Sequence, residues 1–119
     1  MVEGKVEEPF GILMSAWMKD MKDGKEKRLI FLCNEINISS NSIYNIRYQL
    51  IHRTASAVIT AKQYHCKSAV VLIHSFSSKN TSYMDFSKFL LLYGLSSSEN
   101  TLIGSVNLSG IDTYWAWVN

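Results

Sequence analysis

The chain has 119 residues, of which 47% are hydrophobic, with one proline and six glycines; that composition excludes disorder and provides for one core, with no room for a second. Twelve Lys and Arg against ten Asp and Glu leave a formal charge of +2, too little to grip nucleic acid by a broad basic field. No apolar run approaches the roughly 20 residues of a membrane helix and the acidic start is unlike a signal peptide, so the expected compartment is the cytoplasm, with Cys33 and Cys66 as reduced thiols.

In chain order, Val2, Gly4 and Val6 alternate with Glu3, Lys5 and Glu7, the pattern of a strand that ends at Pro9. Ile12, Leu13, Ala16, Trp17 and Met21 then recur at helical spacing. Asp23 with Glu26 three residues later reads as a capping box, and the stripe Leu29, Leu32, Cys33 and Ile36 follows from it as a second helix. A polar loop spans 37–42. Ser42 is expected to cap the longest helix, about 43–65, with Tyr48, Ile51, Ala55, Val58 and the stem of Lys62 turned inward.

Residues 68–76 carry the strongest strand signal: Ala69, Val70, Val71, Leu72 and Ile73 are apolar without alternation, which predicts a central strand covered on both faces. Ser82 and Asp85 are expected to cap a helix over 83–93, with Phe86, Phe89, Leu90 and Tyr93 inward and Gly94 just past its end. Strands at 101–108 and 113–118, joined through Ser109, Gly110 and Asp112, close the chain. Trp115 and Trp117 share one face of the last strand, and core packing is favoured over a stacking platform for bases or a subunit interface. The order β, three helices, β, α, β, β predicts an α/β fold, with α+β as the neighbouring class, built on a mixed sheet of about four strands flanked by about four helices.

Two clusters carry chemistry. The period of two puts Glu3 and Lys5 on one face of a strand, where a carboxylate could hold Mg²⁺ and an ammonium could stabilise an attacking hydroxide or phosphate oxygen. The bland alternative is an ordinary charged strand face, since the second carboxylate such a site needs is missing: Glu7 lies about 13 Å along an extended strand from Glu3, too far to share one ion. The long helix holds Arg47, Gln49, His52, Arg53 and Ser56, of which 49, 52, 53 and 56 share a face; a Gln, a His and an Arg there could contact phosphates and orient a water. A solvated polar face is the competing reading. His74, at the end of the presumed central strand, holds a position where α/β sheets gather ligands. His65 ends a helix and is assigned no chemistry. No phosphate-binding glycine loop, zinc spacing or nucleophile elbow is present.

The stretches VEGKVEEPFG, RYQLIHRTASAVITAKQYHCKSAVVLIHSF and YWAWV together resemble an uncharacterised bacterial domain family akin to PD-(D/E)xK restriction-endonuclease-like proteins. The resemblance covers residues 2 to about 89 and resumes at the C-terminal strand. It implies a restriction-endonuclease-like fold in which Glu3 and Lys5 form the E-x-K half of a metal site, with Glu3 as the metal ligand. Lys5, Gln49 and His52 would be the catalytic groups, and Arg53 and Arg47 would bind substrate. Members are expected to be longer at the N-terminus and to supply an upstream Asp there, so the expected form of this chain is a truncated or degenerate nuclease-like domain. The competing expectation is a non-catalytic binding or scaffold module, homodimeric because a first strand without an upstream neighbour leaves an edge to cover.

Overall fold

The computed structural model describes residues 2–5, 12–20, 23–39, 42–75 and 81–118. Strand β1 (Val2–Lys5) opens the chain and is followed by helices α1 (Met14–Trp17), α2 (Asp23–Glu35) and α3 (Tyr48–Gln63). Strand β2 (Ser68–Ser75), helix α4 (Thr81–Leu91) and the hairpin β3 (Leu102–Leu108) and β4 (Ile111–Val118) complete it. Strands β2, β4 and β3 form a mixed sheet in which β2 and β4 run parallel and β3 is antiparallel to β4. β1 lies parallel along the other side of β2, giving the order β1-β2-β4-β3. The chain is thus a mixed α/β domain, as its alternation of strand and helix patterns predicts.

The core sits on one sheet face. Val71, Ile73, Ile111, Thr113, Trp115 and Trp117 alternate onto it and are buried. Helices α3 and α4 both reach that face: the Trp115 indole N–H donates to Thr54 Oγ1 of α3 at 3.2 Å, while Phe89 and Tyr93 pack their rings on Trp115. Tyr83 and Phe86 pack likewise on Trp117. Core packing is therefore what the two tryptophans do.

The opposite face departs from expectation. The apolar run of β2 predicts cover on both sides, yet Val70 is 38% exposed and Leu102, across the sheet, 58%. Leu72, Tyr114 and Val118 on that face are half-buried. Flanking strands shield such residues sideways, so an unbroken apolar run does not by itself require a second helical layer.

Helix boundaries differ for tertiary reasons. The first helix is a single α turn continued by a 3-10 turn, Met18–Asp20, and its buried side chains are Met14 and Trp17, while Ile12 and Ala16 are exposed. The long helix starts at Tyr48, not near Ile43, because residues 43–47 are held by the α1 segment. Met14 N–H donates to Ile46 O, Tyr48 N–H donates to Ile12 O, and Leu13 and Arg47 form a bridge. Those bonds occupy groups that a longer helix would have used, and they bury Ile43 and Ile46. At α4, Asp85 does not serve a cap: its carboxylate accepts from Arg47 Nε at 3.3 Å. The Asp23 cap, the Glu7 position and the strand end at Pro9 lie outside the described residues or side chains.

All three long helices end in the same way. Leu95 N–H reaches Leu90 O across Gly94 at φ 72, Ile38 N–H reaches Cys33 O across Asn37 at φ 54, and Cys66 N–H reaches Ala61 O across His65 at φ 57. This is the Schellman arrangement, which turns the chain through a left-handed residue. Only one of the three left-handed residues is the glycine that sequence reading finds. A side chain with a Cβ is disfavoured there, so His65→Gly is expected to raise stability by about 0.5–1 kcal/mol in urea unfolding, with β2 unaffected. The β3–β4 turn follows the same logic, with Ser109 at φ 52 and Gly110 at φ 90 as a type I′ pair, so that β4 begins at Ile111 directly after them.

Candidate functional site

Strand register locates one end of the domain. Glu3 stands opposite Ile73, Ile73 opposite Trp117, Lys5 opposite Ser75, and His74 between Gly4 and Val118. The three parallel strands therefore finish together, and in sheets of this kind ligands collect at that end. Helix α3 runs back against β2: its Thr54 is bonded to Trp115, which pairs with Val71, and its last turn, with Ala61 and Tyr64, lies by Ser68 and Ala69. Its first two turns, with Arg47, Gln49, His52 and Arg53, consequently lie towards the carboxyl end of the strands. Helix α4 starts there too, with Tyr83 and Phe86 on Trp117 and Asp85 joined to Arg47.

Glu3 and Lys5 occupy the second and fourth positions of β1, and the structure describes their backbone only. Arg47 is half-buried at the N-cap of α3 and ion-paired to Asp85, a partner that its sequence neighbourhood does not suggest. Gln49 and Arg53 are half-buried, and His52 is exposed, its imidazole lying on the Tyr48 ring with centroids 5.8 Å apart and planes 29° apart. Among the described residues, no group of three His, Cys, Asp or Glu is arranged to hold a metal ion.

A family model described as a domain of unknown function (DUF6946) matches residues 1–119. The chain belongs to the DUF6946 family. No curated protein and no solved structure matches it. Within this DUF6946 domain, no helix of the described residues is long and apolar enough to cross a membrane.

Two features of the DUF6946 domain escape sequence reading. The first is a ring column: Trp17 stacks on Tyr48 at 5.2 Å and 15°, Tyr48 stacks on His52, and Lys25 caps Trp17 with its ammonium 4.6 Å from the ring and bonded to Trp17 O at 2.7 Å. The i, i+4 spacing of Tyr48 and His52 hints at half of it; Trp17 and Lys25 come from other elements. The second is an open apolar groove of about 420 Å³ between the last turns of α3 and the start of β2, lined in part by Ala57, Ala61, Tyr64, Cys66, Ala69 and Val70. It lies at the opposite end from Glu3 and His74, and none of its described lining residues is charged.

The two cysteines differ in kind. Cys66 is exposed at the groove, whereas Cys33 is buried on the inner face of α2, where desolvation pushes its thiol up from the usual range. Burial, with Cys33 close by, raises Tyr93 as well, and its hydroxyl donates to Ile36 O at 2.6 Å. A maleimide or aromatic disulfide reagent is expected to modify Cys66 quickly in the native protein, with Cys33 reacting only after unfolding; mass spectrometry of the native adduct checks this.

Proposed function

We propose that this domain is a nuclease-like module whose phosphate chemistry lies at the carboxyl end of its parallel strands. The observation that carries the reading is the register from β1 through β2 to β4, which brings the Glu3 and Lys5 positions and His74 to one end, where contacts with Trp115 and Trp117 also set the starts of α3 and α4. The restriction-endonuclease-like arrangement belongs to this proposal, with the parallel pair β1 and β2, and α3 packed on β2, as its support. Glu3 is assigned as a Mg²⁺ ligand, Lys5 as the cation that stabilises charge developing on phosphate, Gln49 and His52 as groups that orient water, and Arg53 and Arg47 as phosphate contacts. The described residues do not by themselves complete a Mg²⁺ site, and Arg47 is shared with Asp85, so a phosphate would have to draw Arg47 from that pair.

The test is cleavage of labelled DNA and RNA with added Mg²⁺ or Mn²⁺. Removal of both groups in Glu3→Ala with Lys5→Ala is expected to lower the cleavage rate by about two orders of magnitude or more. Equal activity in the double variant refutes the assignment.

A second reading is favoured by the sheet face that α3 and α4 leave aside, where Leu102 and Val70 are exposed. On this reading the domain is a homodimeric binding or scaffold module without catalysis. Light scattering that shows a monomer, or a Mn²⁺ titration that shows specific binding, counts against it.

A further inference from the structure

The column that ends on His52 has an open end. It runs from a buried ring, Trp17, through a half-buried one, Tyr48, to an exposed imidazole. The planes stay close to parallel, 15° at the first step and 29° at the second. Trp17 is also held by Lys25, which contacts both its ring and its carbonyl. Such a stack presents a preformed planar surface, because the rings beneath have already lost their rotational freedom. The His52 imidazole has no hydrogen-bond partner among the described residues, and Tyr48 is its one ring contact there.

We infer that the His52 ring is a stacking platform for a nucleobase of a single-stranded nucleic acid. Base–aromatic stacking tolerates any sequence and needs only an accessible π face beside groups that track phosphate. Gln49 and Arg53 flank His52 on the same helix, at the end of the sheet where Glu3 and Lys5 stand, so a base on His52 would place its backbone near them. The inference rests on the phosphate site proposed above and names its substrate as a strand with unpaired bases. A closed duplex would offer no free base face to His52. It adds a task to the one proposed for His52 above: stacking uses the flat ring, whereas orienting water uses a ring nitrogen.

The two tasks separate by substitution. His52→Phe keeps a flat ring and loses both nitrogens, whereas His52→Ala loses the ring. Binding is measured by anisotropy of a labelled short poly-dA strand against an abasic strand of the same length, without metal. The wild type is expected to favour poly-dA by at least about fivefold. His52→Ala should erase that preference, and His52→Phe should restore it. Equal binding of the two strands by the wild type, or a His52→Phe variant no better than His52→Ala, overturns the platform. Repeating the measurement on the Glu3→Ala, Lys5→Ala variant keeps the two proposals apart. Base-dependent binding without any metal-dependent cleavage by the wild type would leave the platform standing and refute the nuclease assignment; cleavage without base-dependent binding would do the reverse.

Discussion

Replacing Trp115 by alanine is expected to cost about 3–5 kcal/mol, enough to unfold much of the population of a domain this small. The side chain is fully buried, joins α3 and α4 to the sheet directly, and reaches the end of α2 through Tyr93. Its N–H is bonded to Thr54 on α3, and its ring meets Phe89 of α4 and Tyr93 just beyond it. Tyr93 in turn holds the Ile36 carbonyl at the end of α2. The alanine variant leaves a cavity that these partners, fixed by other bonds, cannot collapse to fill, and it strands the Thr54 hydroxyl without its indole partner. Tyr114, the preceding residue on β4, is half-buried on the opposite face, and its alanine variant should lose less than half as much. Urea unfolding of the two variants side by side provides the measurement, and similar losses would mean that the core lies elsewhere.

The Gly104→Ala variant should lose about 2–4 kcal/mol although it adds one methyl group on an exposed strand residue. Gly104 has φ 146, and a Cβ built there would lie 2.8 Å from Thr113 O, a backbone atom that cannot move without disturbing the β3–β4 register. The register slips between Gly104 and Val106, so the glycine sits where β3 takes up an extra residue against β4. Gly24 provides the control. It lies in α2 with nothing within 4 Å of its would-be Cβ, and Gly24→Ala should be neutral or stabilising by up to about 1 kcal/mol. Thermal unfolding of both variants decides whether backbone approach, and not glycine as such, sets the cost.

The stripes of α2 and α4 were legible in the sequence because burial on a helix repeats every three to four residues: Leu29, Leu32, Cys33 and Ile36 are buried, as are Phe86, Phe89 and Leu90. The same holds for the alternation that sends Trp115 and Trp117 inward. The left-handed ends at Asn37 and His65 were not legible, since only glycine announces such a position, and neither was the shortened start of α3, which is decided by hydrogen bonds to residues more than thirty positions earlier in the chain.

For the candidate site the division is similar. Glu3 with Lys5, and Gln49 with His52 and Arg53, are visible as pairs and triplets of local spacing. The sequence by itself thus determined the class of each element and the inward face of each long helix, because both depend on neighbours within a turn or a pleat. Only the tertiary structure decided that β1, the start of α3 and the start of α4 share one end, that Arg47 belongs to Asp85, and that His52 terminates a column begun by Lys25 and Trp17. Those relations are set by strand register and by contacts between distant segments, and no periodicity in a single chain encodes which distant segment arrives.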